Sequence, residues 1–266
     1  ESYGLKTTWI VIGLLVLIVA VAPPLLLVAE RPEDIGLNPD GEIPRFGDSE
    51  ELIDSADSEP LTSAPNDESW SLGEAVHTGT FWIMVVMGFT MYFVHTSIGV
   101  HMGAYFRDVG LGPTSTALAI SLSWIVSAIG SVGWGVVTDR VPIRYAYSLM
   151  FLIQAGSTFY LMMVGDTVGI FLAAALFGVV SSASNVIPSV MYANYFGRSS
   201  LGRIRGVGEV GVLLGQATGP ITAGILFGLQ GNYDSIFTLF VLIAVICSMV
   251  ILLAKPTVKK QLALGS

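Results

Sequence analysis

The stretch RGVGEVGVLLGQATGPITAGILFGL, from Arg205 to Leu229, decides the fold class of this chain. It is long and apolar enough for a helix, yet it contains seven glycines, one proline and one acid, Glu209. Glycine inside a helix costs about 1 kcal/mol relative to alanine, and proline about 3 kcal/mol. Membrane helices tolerate both residues, because small side chains let neighbouring helices approach closely and those neighbours support a bend. The stretch therefore predicts a helix packed among others inside a membrane.

The composition of the whole chain agrees with this prediction. Hydrophobic residues make up 53% of the 266 positions and charged residues 12%, and the mean hydropathy is +0.71. A helix of about 20 apolar residues is long enough to cross a bilayer, and the chain has seven such segments. These spans are Trp9–Val28, Gly79–Phe106, Ala117–Val137, Tyr145–Val164, Val168–Phe196, Val207–Leu229 and Ile236–Ala254. We therefore predict an all-α, multi-pass integral membrane protein that contacts the lipid bilayer.

The formal net charge of −8 is concentrated in one segment of the chain. Fourteen of the twenty acids lie between Glu30 and Glu74, where there are only two bases. Because so polar a segment cannot bury a core, we expect residues 30–70 to form an acidic, disordered cytoplasmic loop. Ser71 and Glu74 have the spacing of a capping box, which predicts a short helix that leads into the second span. The chain lacks the basic patch of a nucleic-acid-binding protein.

Basic residues alternate between the two sides of the predicted spans. The loops on one side, together with the C-terminus, contain ten of them: Arg31, Arg45, Arg140, Arg144, Arg198, Arg203, Arg205, Lys255, Lys259 and Lys260. The other side contains Lys6 and Arg107. Lys and Arg concentrate in cytoplasmic loops, so we expect a cytoplasmic C-terminus, with the protein in the plasma or inner cell membrane. Seven spans then place Glu1 outside without a signal peptide, and we expect further spans upstream of it.

The loop GVVTDRVPIR resembles the signature G-x-x-x-D-R-x-G-[RK]-[RK] of the major facilitator superfamily. The matching residues are Gly135, Asp139, Arg140 and Arg144, whereas Pro142 and Ile143 depart from it. The segment RPEDIGL, after the first span, resembles the start of that superfamily's central loop. The segment HMGAYFRDVGL, at the end of the second span, resembles the seventh helix of monocarboxylate and oxalate/formate-type carriers.

This resemblance implies a fold and a function. Residues 1–29 would be helix six, residues 30–70 the central loop, residues 71–256 the C-terminal six-helix bundle with its 3+3 repeat, and residues 257–266 a cytoplasmic tail. The protein would be a secondary transporter that moves a small organic solute, a carboxylate in that branch, by alternating access. The chain would pair with a missing N-terminal half. A non-transporting receptor or partner subunit of the same fold is the alternative.

Polar residues near the middle of the spans are the candidates for binding the solute. We select Tyr92, His95, Thr96, Trp124, Asn185, Ser189, Tyr192 and Gln216. Tyr92 and His95 share a face of the second span, because they are three residues apart on a helix with 3.6 residues per turn. His95 has two interpretations: it binds solute and carries a coupled proton, or a neighbouring helix satisfies it. No Lys or Arg lies in the middle of any span, so the base for an anionic solute would come from the missing half.

Charged residues at the cytoplasmic ends of the spans, together with the first glycine of the loop signature, are candidates for gating. They are Gly135, Asp139, Arg140, Arg144, Arg198, Arg203 and Glu209. In the superfamily the Asp and Arg of the loop signature take part in a latch between conformations, and the resemblance assigns that role to Asp139 and Arg140. Glu209 has two interpretations. It is a member of this latch, or it has a local role, either as a partner of Arg203 or Arg205 or as an anion stabilised near a helix N-terminus. We also consider proton coupling through Glu209.

A stripe of glycines in the sixth span predicts close helix packing. Gly211, Gly215 and Gly219 are four residues apart, so they lie on one face. Pro220 frees a carbonyl and permits a bend. These residues either pack statically or act as a hinge.

The sequence lacks the motifs of several other function classes. It contains no G-x-S-x-G, no H-E-x-x-H and no nucleotide-binding P-loop. We therefore expect a protein that is not an enzyme, has no metal or cofactor, and draws its energy from an ion or solute gradient.

Overall fold

The structure is a computed structural model that describes residues 4–21, 23–24, 70–197 and 200–256. All regular secondary structure within these residues is helical. The chain divides into two units, Glu1–Ser63 and Ala64–Ser266. The predicted acidic loop, residues 30–70, lies outside the described residues except for Trp70, and so does the predicted tail, residues 257–266.

The first unit contains one apolar helix. Helix α1 spans Leu5–Val16 and continues as a π-helix over Leu17–Val21. Its apolar side chains, such as Trp9, are exposed. The first predicted span, Trp9–Val28, is therefore helical as far as Val21. The apolar segment Lys6–Val21 is shorter than the six long helices of the second unit.

The second unit contains a short helix followed by six long ones. The helices are α2 (Leu72–Val76), α3 (Gly79–Asp108), α4 (Pro113–Arg140), α5 (Ile143–Met163), α6 (Thr167–Phe196), α7 (Leu201–Gln230) and α8 (Asp234–Val250), and a 3₁₀ turn over Ile251–Leu253 extends α8. The helices from α3 to α8 are long and apolar enough to cross a membrane. They coincide with the second to seventh predicted spans, and the predicted all-α membrane fold is confirmed.

The ends of these helices follow from local sequence signals. The predicted capping box at the start of α2 is confirmed: the Ser71 hydroxyl accepts from the Glu74 backbone N–H, and the Glu74 carboxylate accepts from the Ser71 backbone N–H. Pro113 occupies the first turn of α4, where its missing N–H costs nothing. Gly231 ends α7 with a φ of 72°, a left-handed conformation that glycine adopts without strain.

The six long helices pack mainly in pairs. Helix α3 lies along α7, α4 lies along α6, and α5 packs against both α6 and α8. Helix α6 is the most deeply buried of the six, whereas α4 and α7 are the least buried. The bundle therefore has α6 near its centre and leaves one side each of α4 and α7 uncovered within the described residues.

Glycines let α3 and α7 approach until backbone meets backbone. A Cβ placed on Gly215 would lie 2.2 Å from the carbonyl oxygen of Phe89, and one on Gly219 would lie 2.2 Å from that of Phe93. A Cβ on Gly211 would lie 2.9 Å from the carbonyl oxygen of Val85. The glycine stripe of α7 thus faces three successive turns of α3.

Two hydrogen bonds show which helix ends lie at the same end of the bundle. Thr80, at the start of α3, donates to the carbonyl of Lys255 (3.1 Å), and Tyr195, at the end of α6, donates to the carbonyl of Ala254 (3.2 Å). The start of α7 follows directly after α6 in the chain, so Arg205 belongs to this end as well. We call it the basic end.

Candidate functional site

A cavity of about 110 Å³ lies between α3, α5, α6 and α7, in the half of the bundle nearer the basic end. The residues that line it are Met84, Gly88, Tyr92, Tyr147, Ser184, Asn185, Pro188, Tyr192, Arg205, Gly208, Glu209, Val212 and Gln216. Eight of these thirteen residues have polar side chains. Convergent polar groups fix the orientation of a ligand in a small-molecule site.

The cavity contains an ion pair. The Arg205 Nε donates to the Glu209 Oε1 at 2.9 Å, across one turn of α7. Both side chains are 41% exposed, so this pair is accessible from the cavity. Of the two local partners expected for Glu209, the structure therefore has Arg205 in contact with it.

Three tyrosines bring phenol groups to the same cavity from three different helices. The Tyr92 hydroxyl of α3 is directed at the Asn185 Oδ1 of α6, 3.4 Å away. The Tyr192 hydroxyl of α6 lies over Gly208 of α7, where a Cβ would come within 2.1 Å of it. Gly208 thus leaves the space that the Tyr192 ring occupies. Tyr147 of α5 is the third.

Four of the eight predicted solute-binding residues line this cavity: Tyr92, Asn185, Tyr192 and Gln216. Two others lie close by and bond to the backbone of their own helix. The Thr96 hydroxyl donates to the carbonyl of Tyr92, and the Ser189 hydroxyl donates to the carbonyl of Asn185. Trp124 is 58% exposed and lies outside the cavity.

His95, the remaining predicted residue, is also outside the cavity. Its ring is buried and stacks on Phe177 of α6, with 4.3 Å between the ring centroids and 2° between the ring planes. The imidazole Nδ1 has no hydrogen-bond partner among the described residues. This stacking on α6 agrees with the second interpretation of His95, in which the ring is held by a neighbouring helix.

The predicted gating residues are dispersed along the basic end. Asp139, Arg140 and Arg203 are exposed. The Arg144 guanidinium lies over the Tyr145 ring, 4.9 Å from its centroid. Gly135 is half-buried on α4. Arg198 lies outside the described residues.

The opposite end of the bundle has a polar tie between α3 and α7. The His101 ring lies between the Pro220 carbonyl of α7, 3.2 Å from Nε2, and the Tyr233 hydroxyl, 3.2 Å from Nδ1. Tyr233 packs edge-on against Tyr105, and burial raises the pKa of the Tyr233 phenol with a smaller contribution from Asp108. This tie joins α3 and α7 at the end of the bundle opposite the basic end.

Nine of the thirteen residues that line the cavity were not among the predicted solute contacts, and Arg205 and Tyr147 are two of them. Arg205 lies near the end of a span, but its spacing of four from Glu209 places both on one face, and that signal was available in the sequence. Tyr147 had no such signal, because one sequence does not show which face of α5 turns inward. Among the described residues no group of His, Cys, Asp and Glu is arranged to hold a metal ion.

Comparison with known protein families identifies the fold. The sequence model of the Major Facilitator Superfamily matches residues 1–171 and, in a second and overlapping match, residues 84–265. A comparison with curated proteins gave no match. Together with the six apolar helices, these matches establish an integral, multi-pass membrane protein. The chain belongs to the Major Facilitator Superfamily, whose members are in general membrane transporters rather than enzymes.

Proposed function

We propose that the protein is a secondary transporter that binds a small polar organic solute in the cavity between α3, α5, α6 and α7. The observation that carries this proposal is the convergence of Tyr92, Asn185, Tyr192 and Gln216 with the Arg205–Glu209 pair around one space. Polar groups are costly inside a membrane and mark solute pathways by default. An accessible ion pair beside three phenols is therefore best explained as a solute site.

The size of the cavity supports a site shared between two bundles. Small-molecule pockets have volumes of about 300–1,000 Å³, and this cavity has about 110 Å³. We propose that a second six-helix half covers the uncovered sides of α4 and α7 and supplies the opposite wall. In transporters of this architecture the solute binds between such halves, near the middle of the membrane.

Alternating access requires contacts that form in one conformation and break in another. We propose the basic end as the cytoplasmic end, because the alternation of bases along the sequence predicts ten of the twelve on that side. Asp139 and Arg140 are exposed there, where they could pair with a second half in the outward-facing state. Glu209 is our candidate for carrying a coupled proton, because it is the carboxylate that lines the cavity.

Uptake into proteoliposomes tests this proposal. The intact protein that contains this chain is reconstituted, and uptake of lactate, oxalate, glucose and ethidium is measured with and without a pH gradient, against protein-free liposomes. We expect uptake of at least one class of solute, and a lower rate when Gln216 is replaced by alanine. A folded protein that binds one of these solutes yet transports none would favour the receptor of the same fold.

A further inference from the structure

Tyr147 has an unusual position among the tyrosines of the cavity. It belongs to α5, a helix that otherwise packs against α6 and α8. Its side chain is 1% exposed, yet it lines the cavity. Its hydroxyl has no hydrogen-bond partner among the described residues. A fully buried phenol group thus adjoins the space in which we propose that the solute binds.

The position of the Tyr147 ring is fixed by its neighbours. It stacks on Phe151 of the same helix, with 5.4 Å between the centroids and 5° between the planes. The ring is also part of an apolar cluster with Met84, Met87 and Ile187. Because the ring is buried and stacks on Phe151, its hydroxyl stays at the wall of the cavity and away from bulk water.

A phenylalanine would fill the same space without burying a polar group. Leaving a buried hydroxyl without a partner costs free energy, so each such group in a native protein calls for an explanation. Of the other two phenols of the cavity, Tyr92 donates to Asn185, whereas Tyr192 lies over Gly208. Because it has no partner among the described residues, the Tyr147 hydroxyl remains available for a ligand.

Most polar groups of the cavity are able to donate a hydrogen bond. Tyr147, Tyr192, the Gln216 amide and the remaining N–H groups of Arg205 can all donate, whereas the Glu209 carboxylate is already paired with Arg205. A solute that satisfies this arrangement presents acceptor oxygens. On the basis of the proposed function, we infer that Tyr147 donates a hydrogen bond to a carboxylate or carbonyl oxygen of the solute and fixes its buried end.

Three related probe solutes test which chemical group binds beside Tyr147. L-Lactate has a carboxylate, L-lactamide has a carbonyl, and 1-amino-2-propanol has neither group on the same three-carbon frame. Uptake of each is measured with the intact protein and with its Tyr147→Phe variant in proteoliposomes. Tyr160→Phe is the matched control, because Tyr160 lies on the same helix outside the cavity.

We expect the wild-type protein to take up lactate or lactamide and to exclude the amine. Tyr147→Phe should raise KM for the transported probe at least tenfold, with an unchanged or higher melting temperature in the absence of solute. Tyr160→Phe should leave KM unchanged. The higher melting temperature is expected because the substitution removes a hydroxyl that has no partner in the empty protein.

Three results would overturn the inference. An unchanged KM for Tyr147→Phe, in a protein that transports the probe, would refute the role of Tyr147 and leave the proposed function standing. A lower melting temperature with an unchanged KM would show that the hydroxyl is structural, held by a buried water. Uptake of the amine alone, or of none of the three probes, would refute the inferred solute class, and the broader panel of solutes would then decide whether the protein transports at all.

Discussion

Replacing Gly215 with alanine tests the packing of α3 against α7. The added Cβ would lie 2.2 Å from the carbonyl oxygen of Phe89 and 3.0 Å from the backbone nitrogen of Phe93. Ordinary contacts of a Cβ atom begin near 3.4 Å. Because both neighbours are backbone atoms, no side-chain rotation can relieve the overlap, and the two helices must move apart.

The expected cost follows from two opposing terms. Overpacking a closely packed site costs about 1–3 kcal/mol, and this overlap with a backbone oxygen belongs at or above the upper end of that range. The gain in helix propensity from glycine to alanine is about 1 kcal/mol. We therefore expect a net loss of about 2 kcal/mol, which corresponds to a fall in melting temperature of roughly 4–8 °C for a bundle of this size.

The melting temperature of the purified protein in detergent measures this loss. Gly228→Ala is the control, because a Cβ at Gly228 on the same helix meets nothing within 4 Å. That variant should melt at the wild-type temperature or slightly above it. If Gly215→Ala melted as high as Gly228→Ala, the described contact between the α3 and α7 backbones would be wrong.

Three further substitutions separate binding from stability. Arg205→Gln should lower solute uptake at least tenfold. It should change the free energy of unfolding by no more than about 0.5 kcal/mol, because a half-exposed pair with Glu209 contributes little to stability. A large fall in melting temperature would contradict this expectation. His101→Phe removes the contacts of the ring with Pro220 and Tyr233 and should cost about 1–3 kcal/mol, and an unchanged melting temperature would argue against the tie. His95→Ala should lower the melting temperature without altering solute affinity, and a changed affinity with unchanged stability would instead favour a role in binding.

The sequence was sufficient for the membrane helices because their signals are strong and local. Long apolar runs locate α3 to α8, and the spacing of Ser71 and Glu74 predicts the start of α2. The spacing of Gly211, Gly215 and Gly219 predicts a face that another helix can approach. It does not say that the partner is α3, because partner choice depends on how six helices are arranged in space.

The candidate site was harder to predict because it depends on the direction of each side chain. Tyr92 and His95 are three residues apart and share a face in the periodic pattern, yet Tyr92 lines the cavity and His95 stacks on Phe177. Helix α3 has neighbours on several sides, so two residues of one face can meet different helices. Trp124 was selected for its place in a span, but helix α4 leaves it exposed. The helical periodicity of the sequence does not show which neighbouring helix, if any, a given side chain will contact.

The most direct test of the central claim is protection of the cavity by a transported solute. The intact protein with Gln216→Cys, in a background in which the buried Cys247 is replaced by serine, is labelled with a membrane-impermeant maleimide. We predict that a solute shown to be transported slows labelling at position 216 and leaves labelling of a Leu229→Cys control unchanged, since Leu229 is exposed outside the cavity. Equal labelling at position 216 with and without the solute would contradict binding in this cavity.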